Sequence, residues 1–156
     1  MIKAVKKGLG FGLTSGVITT LGMLIGLYSV SNSKTIVIGG ILSIAIADSV
    51  SDALGIHLSE ESQKDVSHKY IWQATIFTFL TKFIFALSFL IPIFVFPLNF
   101  AVIVSLIWGV FLISFISYKF AKDRNENPFR AILEHLSITI IVLVIIYYTG
   151  KFINHV

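Results

Sequence analysis

Five apolar blocks, at about residues 8–30, 35–57, 70–95, 98–120 and 130–150, dictate what this chain can fold into. Each is close to the roughly 20 residues that a helix rising about 1.5 Å per residue needs to cross about 30 Å of hydrocarbon. Within hydrocarbon the backbone N–H and C=O groups must find partners in their own segment, so blocks of this length read as helices. The predicted fold is an all-α integral membrane protein, one domain over residues 1–156 with five transmembrane helices. Composition agrees. Hydrophobic residues make up 56% of the chain and charged ones 13%, about half the charged share of a soluble domain. The first block follows Lys3, Lys6 and Lys7 as a signal peptide would. It is too long for an h-region and lacks a small-residue cleavage site, so it reads as a retained span.

The basic residues lie between the blocks and favour one side. Lys3, Lys6, Lys7, Lys64, Lys69, Lys119, Lys122, Arg124 and Arg130 fall on that side, against only Lys34 and Lys151 on the other. The positive-inside rule then predicts a cytoplasmic N-terminus and an outer C-terminus. The same clustering argues against nucleic acid as a partner, and the bilayer is the partner it implies. The outer connections, 31–34 and 96–99, are short, while most of the charge sits in cytoplasmic loops at about 58–69 and 121–129. With no cysteine in the chain, disulfides, thiolate metal sites and Cys nucleophiles are excluded.

Small residues set the first two spans apart. Gly8, Gly12, Gly16, Gly22 and Gly26 mark the first, and Gly39, Ser43, Ala47, Ser51 and Gly55 recur at every fourth position of the second. Such stripes let helix backbones approach closely in lipid, where van der Waals contact replaces the hydrophobic effect. The expected design is a tightly packed pair of spans one and two, carrying the polar groups. Spans three to five, rich in Phe, Ile, Leu and Val, would form a lipid-facing shell.

The second span also carries Asp48 and Asp52, one turn apart on one helix face. An aspartate at that depth costs about 2.5–3.5 kcal/mol on insertion scales, so intramembrane acids are read as functional by default. A divalent cation would relieve both the burial cost and the mutual repulsion, because hard cations favour carboxylate oxygen; a proton could do the same. Counting from the cytoplasm puts Thr14 and Ser15 at the depth of Asp52, and Thr19 and Thr20 at that of Asp48. Their hydroxyls could complete an oxygen shell, or bond back to the carbonyl one turn earlier. Met23, farther out, reads as packing. Lys82, near the middle of the third span, offers the alternative: a buried ion pair with one aspartate, with no transport role. At the cytoplasmic rim His57, Glu60 and Glu61 end span two, and Glu134 and His135 open span five, a possible entrance for a cation. No phosphate loop, HExxH pair or GxSxG elbow is present, and the chain reads as a non-enzyme.

Several stretches resemble the vacuolar iron transporter family. "GFGLTSGVITTLGMLIGL" (10–27) is similar to its first helix, "LGIHLSEESQ" (54–63) to the end of its second, "ALSFLIPIFVFP" (86–97) to its third, and "NPFRAILEHLSITIIVLVIIYYTGKF" (127–152) to its fifth. The resemblance covers nearly the whole chain in order. It implies a homodimer with a pathway at the subunit interface, built mainly from the first helices. It also implies export of Fe²⁺ or Mn²⁺ from the cytoplasm by proton exchange, the metal being cargo and no prosthetic group being needed. The chain departs from the family at its ligands. The first-helix acid aligns with Phe11, the second-helix Glu near Ile44 and the Met near Asp52, and the cytoplasmic metal-binding insertion shrinks to about 58–69. Losing the thioether favours a harder ion such as Mn²⁺, or looser selectivity.

The expected metal ligands are Asp48, Asp52, His57, Glu60 and Glu61 with Thr14 and Ser15, and Lys82, Glu134 and His135 serve entrance or coupling. Gly12, Gly16, Gly39, Ser43, Ala47, Ser51 and Gly55 pack the helices. The combined reading is a dimeric divalent-metal exporter in a prokaryotic cell membrane; the alternative is a non-transporting structural or regulatory membrane protein with an Asp–Lys ion pair.

Overall fold

The computed structural model describes residues 2–154; Met1, His155 and Val156, at the ends of the domain read over 1–156, lie outside the described residues. The elements in chain order are α1 (Ile2–Ser31), α2 (Lys34–Glu61), α3 (His68–Ser88), α4 (Leu90–Val95), α5 (Leu98–Asp123) and α6 (Pro128–Ile153), and no strand occurs among the described residues. Among the described residues five segments are long and apolar enough to cross a membrane, α3 and α4 together supplying the third, so the chain is a multi-pass membrane protein.

The helix starts follow from local chemistry. Ser33 and Ser67 accept from the backbone N–H groups of Ile36 and Tyr70, and Asn127 accepts from those of Phe129 and Arg130, with Pro128 in the first turn. The loops turn through left-handed residues at Asn32, Asp65 and Asn125, two residue types that tolerate that conformation.

The third span, read from sequence as one helix over 70–95, is broken at Phe89. Pro92 has no N–H to give the carbonyl one turn earlier, and its ring crowds that carbonyl. The chain tightens there, with the Phe89 N–H bonding to the Ala86 carbonyl. Ser88 braces the break by donating to the Phe85 carbonyl at 2.6 Å and accepting from the Trp108 indole at 3.0 Å. Lys34 reaches the Phe94 and Phe96 carbonyls at the end of α4, the helix terminus where a cation is favoured.

α1 is the central helix, touching α2, α3, α5 and α6. Its glycines make that possible. A Cβ on Gly8 would lie 2.8 Å from the Thr78 nitrogen, and one on Gly12 would lie 2.7 Å from the Thr78 carbonyl oxygen. Gly16 lies against Lys82, so α1 and α3 run parallel in close register. Farther along, Gly22 and Gly26 receive Ile146 of α6.

Two expectations are therefore corrected. The close glycine contact of α1 is with α3, which buries one face, Lys82 included, against its neighbours while Trp72, Ile76, Leu80 and Ile84 stay exposed; α6 is the peripheral helix, with Thr139 and Gly150 its buried residues. The stripe Gly39, Ser43, Ala47, Ser51 and Gly55 does not pack α2 against α1. All five residues are exposed, and nothing lies within 4 Å of a Cβ built on Gly39 or Gly55. α2 packs through another face: Val37, Ile41, Ala45, Ser49, Ala53 and Ile56. Those side chains are larger and more apolar on average, so they fill the space between helices that a row of small residues would leave empty.

Candidate functional site at mid-span

The midpoints of α1, α2 and α3 meet at Lys82. Its stem runs along Gly16, and its ammonium is buried, with the side chain 1% exposed. Buried that deeply, an ammonium needs acceptors for its three N–H groups. It finds Asp52 of α2, Ser15 of α1 at 2.9 Å and an Asp48 oxygen at 2.6 Å. Ser15 in turn donates its hydroxyl to Asp52 at 2.6 Å. Asp52 thus accepts from two sides. The Asp48 oxygen is close to the ammonium but out of line for a hydrogen bond, and no other group donates to it. Asp48 is held by charge more than by geometry.

The two carboxylates keep an opening. The side chains of Asp48 and Asp52 are 28% and 22% exposed, at the edge of a face where Thr14, Ser15 and Ile18 of α1 are also partly open. Two acids against one ammonium leave the group one negative charge in excess when all are ionised. Thr19 uses its hydroxyl on the Ser15 carbonyl one turn back, at 2.9 Å, which is the back-bonding outcome for that residue. Thr20 and Ser49 are fully buried nearby in the sequence of α1 and α2, and their hydroxyls have no partner. Met23 packs against Gly40.

The rim residues do not converge on this centre. Glu60 is 2% exposed and pairs with Lys7 of α1. His57 turns toward α3, with Nδ1 3.0 Å from the Thr75 hydroxyl and its ring edge-on to Trp72 at 4.8 Å. Thr75 already gives its one hydroxyl hydrogen to the Ile71 carbonyl, so at this contact its oxygen is the acceptor and His57 Nδ1 the donor. His135 repeats the arrangement on α6: Ser117 donates to the Ile113 carbonyl and stands 2.8 Å from His135 Nδ1. Glu61, Glu134 and His135 are exposed. Among the described residues no three His, Asp or Glu side chains form a group able to hold a metal ion.

Of the residues singled out from sequence, the fold therefore gathers Asp48, Asp52, Ser15 and Lys82. It leaves Thr14 beside them without a hydrogen bond and sends His57, Glu60 and Glu61 elsewhere. Sequence reasoning missed the Lys7–Glu60 pair, because nothing local links residues 53 positions apart. Its one available signal was the basic start of α1 falling at the same membrane side as the acidic end of α2. Compared with known proteins, the chain matches no family model and no curated protein.

Proposed function

We propose that the chain is a membrane transporter that carries a cation out of the cytoplasm, with Asp48 and Asp52 as the carboxylates that receive it. One observation carries this reading: two carboxylates share one ammonium at mid-span. An unbalanced charge there costs about 2.5–3.5 kcal/mol on insertion scales. Binding a cation or a proton removes that cost, and alternation between the two is what an exchanger needs. Lys82 acts as a tethered counter-ion, resting on the carboxylates when cargo is absent and giving way when it arrives. Ser15 keeps Asp52 oriented in both states.

The resemblance to vacuolar iron transporters supports Fe²⁺ or Mn²⁺ as cargo exchanged for protons, and a donor set made of oxygen favours Mn²⁺. The nine-to-two distribution of basic residues supports a cytoplasmic N-terminus. A homodimer in a prokaryotic cell membrane completes the reading. A second copy would cover the α1–α2 face at which the carboxylates open, since partly open acids and lipid tails are incompatible.

The test is Mn²⁺ flux into proteoliposomes. Asp48→Asn and Asp52→Asn, each checked for helicity and monodispersity, should fall to the level of protein-free vesicles. Wild-type flux in both variants would overturn the site.

The seating of Lys82 favours a second reading, a non-transporting structural or regulatory protein in which the three charges form a fixed pair. Calorimetry would then show no Mn²⁺ binding, and the wild type itself would not exceed protein-free vesicles.

A further inference from the structure

Two cavities adjoin at the membrane end opposite the basic one, sharing Tyr28 and Tyr147 as a common wall. The inner one, about 430 Å³, lies between α1, α5 and α6 and is lined by apolar side chains such as Leu106, Leu143 and Val144. The outer one, about 280 Å³, is polar and includes Lys151, Asn32 and Asn154. An apolar slot running into a polar cup, at the depth where a helix leaves the hydrocarbon, has the two-part chemistry of a phospholipid.

The charges and hydrogen-bond donors around the cup specify its occupant further. Three hydroxyls there are already committed: Ser29 donates to the Gly26 carbonyl, Ser31 to the Leu27 carbonyl and Tyr28 to Asn99. Besides the Tyr147 hydroxyl, the donors left are the Lys151 ammonium and the side-chain amides of Asn32 and Asn154, none of which bonds to another group among the described residues. Lys151 stands over the Tyr147 ring, 5.9 Å from its centre, which keeps the ammonium at the mouth of the apolar slot. No acidic side chain can neutralise it. Asp48 and Asp52 are at mid-span, and the other six acids, Glu60, Glu61, Asp65, Asp123, Glu126 and Glu134, belong to the opposite end.

We infer that this composite cavity binds one glycerophospholipid. Its phosphate sits in the cup against Lys151 and the two asparagine amides, and an acyl chain lies in the slot beside Leu106, Leu143 and Val144. The ammonium supplies the charge that a phosphate needs, and the slot confines the chain in place of freely exchanging lipid. The inference uses the membrane-spanning fold alone and is independent of the transport reading.

Native mass spectrometry of the detergent-purified chain with added dioleoyl phosphatidylglycerol tests it. Wild type should retain one lipid per chain. Lys151→Gln should reduce retention about fivefold, the effect of one lysine beside an anionic headgroup. Leu143→Trp, which fills the slot without touching the cup, should reduce it as well, whereas Lys3→Gln at the opposite end should not. Circular dichroism verifies that each variant is folded. Millimolar inorganic phosphate should leave the bound lipid in place; displacement by phosphate would mark a free-anion site and overturn the proposal. Equal retention by wild type, Lys151→Gln and Leu143→Trp would mark adventitious annular lipid and overturn it too, as would a wild type that retains none.

Discussion

α1 and α2 both carry small residues at four-residue spacing, yet one stripe is an internal seam and the other an outer surface. On α1, Gly8, Gly12 and Gly16 admit the α3 backbone until a Cβ would collide with it. On α2, Gly39 and Gly55 face open space. A small residue permits close approach but supplies no attraction of its own, so the pattern states where a helix could be approached and not which neighbour comes. The neighbour of α1 is decided by Lys82, which lies on Gly16 and needs the acceptors that α1 and α2 hold out to it.

The largest effect expected is at that junction. Lys82→Met leaves two carboxylates without a counter-ion and should cost about 3–5 kcal/mol, the usual loss when one partner of a buried pair is removed. Denaturant titration in detergent would read it, and adding Asp48→Asn and Asp52→Asn to the same chain should restore most of the loss. A double removal that restores nothing would mean the lysine stem, rather than its charge, seats α3 on α1.

Gly12→Ala comes next. Its methyl would sit 2.7 Å from a backbone carbonyl that cannot swing aside, so a loss of about 1–3 kcal/mol is expected from overpacking. The same chemical change at Gly55 should have the opposite sign. With no neighbour to meet, Gly55→Ala gains only helix propensity, up to about 1 kcal/mol. The pair of alanine variants, compared by thermal unfolding, breaks or sharpens the contrast directly. A destabilised Gly55→Ala, or one that changes oligomeric state on gel filtration, would show the α2 stripe covered by a second copy.

The smallest effect belongs to the surface. Lys6 and Asp123 pair at 2.7 Å with about half of each side chain in solvent, so Lys6→Ala should leave the unfolding midpoint unchanged at moderate salt. That null result would set the scale against which the Lys82 effect is judged.

Much of the fold was legible because its signals are local. The length of each apolar block is set within its own stretch of chain. Even the break in the third span had a visible sign in Pro92, although 70–95 reads as a single block by hydropathy. The site was legible in part. Asp48, Asp52, Ser15 and Lys82 could be named as an intramembrane group because burying a charge is costly wherever the chain goes. Their mutual arrangement could not be named, since Lys82 is thirty residues from Asp52 and meets it only where α3 packs against α2. The rim illustrates the limit most clearly: five residues of ligand type were placed at one depth by counting, but depth leaves rotation about each helix axis free. Rotation turned Glu60 to Lys7, His57 to Thr75 and His135 to Ser117.

The sequence by itself thus determined a helical multi-pass membrane protein and the depth of each polar group along it, because spans and depths depend on hydropathy summed along one axis. Only the tertiary structure decided which faces meet: α1 against α3, the small stripe of α2 outward, and one lysine shared by two aspartates. The reason is physical. In a membrane the helices are set by solvent, whereas their rotation is set by fit and by charge, and both of those are properties of pairs rather than of a single stretch of chain.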